Sequence, residues 1–132
     1  QKSVRAQMLR LHNPTPQGGM IRYEHDEYFR RGELSNPWII TTLWEAQRRL
    51  TAPDVTLDDL KFCEQQLEWV YQHRYLSGIL PEQFDPQSGE SLSATPLVWS
   101  HAVYVETLLK FVQVSDQLQQ TTERQAKAIV QL

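Results

Sequence analysis

The chain has 132 residues with 40% hydrophobic and 22% charged side chains, and a formal net charge of −3 from 13 basic and 16 acidic groups. Such a composition describes one globular unit with a modest core and excludes a disordered chain. No basic run tracks a phosphate backbone, which argues against nucleic acid as a partner, and no apolar run approaches the ~20 residues of a membrane span.

The N-terminal stretch "QKSVRAQMLRLH" has no apolar secretory core, and a start at Gln1 fits a piece of a longer chain. A helix is expected from about Ser3 to Leu11, with Val4, Met8 and Leu11 on one face, ending before the prolines and glycines of "NPTPQGG". The next helix is expected to open at "SNPW". Ser35 or Asn36 would be its N-cap, Pro37 would lie in its first turn, and Ile39, Leu43, Ala46 and Leu50 would form its core stripe, widened by Ile40 and Trp44.

Thr56 and Asp59 have capping-box spacing and open a third helix carrying Leu60, Cys63, Leu67, Val70 and Arg74. Phe62 and Trp69 form a second seam on it, and Gly78 is its expected stop. A fourth helix is expected from about Pro96, with Val98, Ala102, Val105, Leu108, Leu109 and Val112 on one face and Tyr104 and Phe111 on another. Two apolar faces predict burial between neighbours. Residues 1–114 read as one domain, and 115–132 as a polar tail or short helix. No run alternates with period two, so the fold class is all-α.

Cys63 is the single cysteine, which precludes an internal disulfide and leans toward a reducing, cytoplasmic setting. His12, His25, His73 and His101 are scattered, so neither a metal nor a cofactor is expected. "DPQSGE" lacks the Asp/Asn spacing of an EF-hand loop.

The loops at 12–35 and 77–95 exceed the usual two to eight residues of helical connections and carry aromatics and charges in place of filler. In the first, "IRYEHDEYF" is either a solvated charged loop or a sugar-binding rim of Arg22, Tyr23, Asp26 and Tyr28. In the second, composition leaves Glu82 an ordinary surface carboxylate or a proton-handling group.

Four phrases in order, "IRYEHDEYF", "NPWIITTLWEA", "GILPEQFDPQSGE" and "PLVWSHA", resemble glycoside hydrolase family 15, the glucoamylase-type enzymes, over about residues 1–112. The resemblance implies the C-terminal part of an (α/α)6 barrel, four to five helices with long active-site loops. It implies an inverting, exo-acting α-glucosidase that removes terminal α-linked glucose from oligo- or polysaccharides. Glu82 would be the general base, with Arg22, Tyr23, Asp26, Trp38 and Gln83 binding substrate. Trp99 and His101 would buttress the Glu82 loop from the helix below. Inversion needs a second carboxyl about 6.5–9.5 Å from the base to protonate the leaving oxygen. The resemblance assigns that general acid to a segment upstream of this chain, so the 132 residues alone are expected to be inactive and to partner the rest of the barrel. A second reading is a non-catalytic regulatory or sugar-sensing module, as in the phosphorylase kinase large subunits.

Overall fold

A computed structural model describes residues 7–130, and Ser3, Val4 and Leu132 lie outside the described residues. Residues 7–10 are helical. The chain then forms β1 (Met20–Ile21), β2 (Pro37–Trp38), α1 (Ile39–Leu50), α2 (Leu57–Gln72), β3 (Gln83–Phe84), β4 (Ser91–Leu92) and α3 (Val98–Val130).

Helix α1 lies at the centre. Ile39, Ile40, Leu43, Ala46 and Leu50 are all buried, as the apolar spacing requires, and α2 and α3 pack against it and against each other. Its main core joins Ile39, Ile40 and Leu43 to Leu67 and Val70 of α2, Phe84 of β3 and Val103 of α3. Burying each such side chain contributes about 1.5–3 kcal/mol. The start of α1 differs from expectation: Pro37 and Trp38 form a strand, Trp38 takes the N-cap position with extended dihedrals, and no side chain caps the helix. Pairing with β1 and β3 supplies the order that a cap would otherwise provide.

Helix α2 opens at the expected capping box. Asp59 N–H donates to Thr56 Oγ1, and Thr56 N–H donates back to the Asp59 carboxylate. It ends at Gln72, six residues before Gly78, with His73 at the C-cap position.

Four two-residue strands, for which the sequence has no periodic signal, form one antiparallel sheet in the order β1-β2-β3-β4. Thr41 and Thr42 of α1 fasten it: Met20 N–H donates to Thr42 Oγ1 at 2.8 Å, and Thr41 Oγ1 donates to the Met20 carbonyl at 2.8 Å. Both contacts fall on the backbone of a residue that also pairs with Trp38 across the sheet, so helix and sheet are joined at one point.

Helix α3 runs 33 residues, about 50 Å, and continues through most of the 115–132 segment that reads in the sequence as a polar tail or short helix. Its expected core face is exposed: Val98, Val105, Leu109 and Val112 are each half or more accessible, while Ser100, Val103 and Thr107 face inward. Trp44 of α1, expected in the core stripe, is 43% exposed and packs edge-on against Trp99 at 5.6 Å.

At the far end of α1 the buried Glu45 carboxylate receives Arg48 Nε at 2.6 Å and Arg49 Nε at 2.9 Å. Burial pushes its carboxyl upward, but the two guanidinium hydrogen bonds outweigh this and hold it below the usual range. Among the described residues no helix is long and apolar enough to cross a membrane, and no group of three or more His, Cys, Asp or Glu is placed to hold a metal ion.

Candidate active site

The small sheet carries both long loops to one place. β1 ends immediately before Arg22, β2 contains Trp38, and β3 begins immediately after Glu82, with Trp38 opposite Gln83. The backbone around Glu82 is fully engaged. Leu80 N–H donates to His101 Nε2 at 3.0 Å and its carbonyl accepts from Leu97 N–H at 3.0 Å. The Pro81 carbonyl accepts from Ser100 Oγ at 2.8 Å. Glu82 N–H reaches the Ala94 carbonyl at 3.0 Å, and its own carbonyl accepts from Ile39 N–H at 3.3 Å. Pro81 has no N–H, so from Leu80 to Glu82 every backbone polar group is paired. The Glu82 side chain, only partly buried, therefore projects from a fixed point.

Of the two residues expected to buttress this loop, His101 contacts it directly, as does the buried Ser100 between them. Trp99 packs on Trp44 and is 51% exposed. Ser100 receives no role from the sequence, because one small hydroxyl beside two aromatic rings carries no pattern of its own.

Arg22 organises the other loop. Its guanidinium grips Asp26 in a two-point contact, Nε to Oδ2 at 2.9 Å and Nη2 to Oδ1 at 3.0 Å. It also lies 4.3 Å from the Trp38 ring centre, 5.0 Å from that of Tyr23 and 5.3 Å from that of Tyr28, within cation–π range of all three. His25, at φ +62°, turns the chain so that Asp26 returns to Arg22. Trp38 is buried beneath the guanidinium, while Tyr23 is 51% exposed and presents its ring at the rim. Asp26, by contrast, is 1% exposed, and Tyr28 N–H donates to its Oδ1 at 3.1 Å. The Asp26 carboxylate is thus engaged in aiming Arg22, and the polar groups left at the rim are Arg22 and the tyrosines.

Burial alone would raise the Asp26 carboxyl, but the Arg22 hydrogen bonds and the Tyr28 N–H outweigh it and hold the group below its usual range. A depressed value means that the pair stabilises fully above the unfolded carboxylate value of about 3.9 and loses its contribution as pH falls through the folded value. The stability difference between wild type and Asp26→Asn, followed by urea denaturation, should therefore stay level from neutral pH to about 5 and shrink below about 4. A difference that widens on acidification would refute this account.

Gln83, also expected to touch substrate, is fully buried with both ends of its amide on protein groups. Asn36 Nδ2 donates to its Oε1 at 2.7 Å, and its Nε2 donates to Glu82 Oε2 at 3.3 Å. The two loops are tied together by the Arg31–Glu90 ion pair and by Thr15 Oγ1 on the Pro86 carbonyl.

A partly buried carboxylate on a rigid backbone, on the sheet that also carries the loop of Arg22 and the tyrosines, suits proton transfer on a polyhydroxylated substrate. Comparison with known proteins agrees with that chemistry. The family model of glycosyl hydrolases family 15 matches residues 2–109, and the chain belongs to that family. It is 38% identical over 96 residues to an uncharacterized glycosyl hydrolase of Methanocaldococcus jannaschii, an alignment covering 67% of this chain and 15% of that protein. The chain thus spans a small part of the length of this curated relative. No solved structure matches it.

Proposed function

We propose that these residues are part of an inverting, exo-acting α-glucosidase of the glucoamylase type, in which Glu82 is the general base that activates water. The observation that carries this reading is the fixed setting of Glu82: all backbone groups from Leu80 to Glu82 are paired, and a side-chain N–H sits on its carboxylate. Arg22, with Tyr23 beside it, supplies the donors and flat surface that grip a terminal glucose; Asp26 and Trp38 hold the guanidinium in place. The general acid comes from a segment outside residues 1–132, and the substrate is an oligo- or polysaccharide with terminal α-linked glucose.

Inversion dictates the product. Water activated on the face opposite the leaving group gives β-glucose from an α-glucoside. Proton NMR of the intact protein acting on maltose should show the β-anomer first, before mutarotation. Initial release of the α-anomer would exclude an inverting base and with it this assignment.

The exposed apolar face of α3 fits the same reading. Val98, Val105, Leu109 and Val112 are each half or more exposed along one helix, and clustered exposed apolar side chains mark surfaces that another element covers. Further helices of the barrel would cover this face. The 132-residue chain expressed alone is therefore expected to self-associate in size-exclusion chromatography. A monomer with a single cooperative melt would sink the idea that α3 needs covering.

A further inference from the structure

We propose that Asn36 is a positioning residue for the general base, acting through Gln83; the inference rests on the assignment of Glu82 made above. Asn36 and Gln83 are both buried, at 1% and 0% exposure; Asn36 immediately precedes β2 and lies two residues from Trp38, which faces Gln83 of β3. Asn36 Nδ2 donates to Gln83 Oε1 at 2.7 Å and approaches the Tyr28 carbonyl at 3.4 Å. Gln83 Nε2 donates in turn to Glu82 Oε2 at 3.3 Å.

The partners set the polarity of this chain. A backbone carbonyl only accepts, so Tyr28 requires Asn36 to present its nitrogen. Asn36 then donates to Gln83, which must present its oxygen inward and its nitrogen to the carboxylate. Turned the other way, Asn36 Oδ1 would face the Tyr28 carbonyl and Gln83 Oε1 would face a carboxylate oxygen, placing acceptors against acceptors at both ends. Asn36 Oδ1 is buried with no partner, so the hydrogen bonding of this amide is all on its nitrogen side.

Gln83 is too buried to bind a sugar hydroxyl. Its N–H holds Glu82 Oε2 and leaves Oε1 to take the proton from water, a reaction sensitive to the orientation of the carboxylate. Asn36 determines whether Gln83 offers that N–H or a repelling oxygen.

The test uses the intact protein hydrolysing maltose. Asn36→Asp keeps the shape and removes the donor, and Asn36→Leu removes it without adding charge. Both should lower kcat by roughly 10- to 100-fold with KM within about threefold of wild type. Because Asn36 acts through Gln83, Asn36→Leu should change kcat less than about twofold when added to Gln83→Met. The inference is overturned if either single variant keeps kcat within twofold of wild type, or if Asn36→Leu costs the same factor with and without Gln83. Glu82→Gln in the same assay separates the two readings. Retained turnover there removes the base assignment itself, whereas its loss, with Asn36→Leu unaffected, removes only the positioning role.

Discussion

Replacing Glu82 by Gln in the intact protein is expected to lower kcat about 10³-fold, the middle of the range for a lost general base, with KM changed only a few-fold. That factor corresponds to about 4 kcal/mol of transition-state stabilisation. The substitution removes the charge and the basic lone pair but little else. The new amide oxygen still accepts from Gln83 Nε2, and the backbone on either side stays tied to His101, Ser100, Ala94 and Ile39. Arg22 and Tyr23, the residues proposed to bind substrate, lie on another loop and are untouched. Steady-state kinetics on maltose would decide the matter, and a kcat within tenfold of wild type would show that Glu82 is not the base.

Gly19→Ala should destabilise the protein by about 3 kcal/mol, from two sources. Gly19 has φ +77°, a region costing a residue with a Cβ about 1–2 kcal/mol. The added carbon would also fall 2.5 Å from Trp69 Cζ2 and 2.8 Å from Pro37 Cβ, an overlap worth a further 1–3 kcal/mol or so. Trp69 has little freedom to yield: its Nε1–H donates to the Gln17 carbonyl at 2.6 Å, its ring lies 4.5 Å from His73, and Phe84 meets it edge-on at 5.5 Å. Any shift of the indole is passed to Phe84 and so to β3, next to Glu82. Chemical denaturation measures the loss, and a value under 1 kcal/mol would mean that Trp69 swings aside freely.

The helices were readable because each repeats its signal. Thr56 and Asp59 specify the start of α2 by side-chain chemistry alone, and the stripe through Ile39, Leu43, Ala46 and Leu50 is buried as its spacing requires. The sheet was not readable. A two-residue strand is too short to alternate, and Pro37 and Trp38 carry the marks of a helix start until β1 and β3 are placed beside them. Tertiary pairing, invisible in a local window, outweighed capping preference.

For α3 the apolar positions were legible but the side they face was not, because periodicity reports a stripe and not what covers it. Arg22, Tyr23, Asp26, Trp38, Glu82 and Gln83 were singled out as candidates through ordered phrases. Their division of labour emerged only in three dimensions. Residue type alone cannot tell a carboxylate offered to a ligand from one engaged with a neighbouring guanidinium, or an open amide from one held at both ends.

Cys63 is fully buried between α1 and α2, its Sγ directed at the Ala46 carbonyl at 3.4 Å, and burial pushes its thiol up to about 12. At neutral pH a closed molecule therefore presents almost no thiolate to an alkylating reagent. As the sole cysteine of these 132 residues, it is a built-in clock for separation of the two helices. The rate at which iodoacetamide consumes it reads the opening equilibrium of the scaffold beneath the site, with no label added and no substrate present.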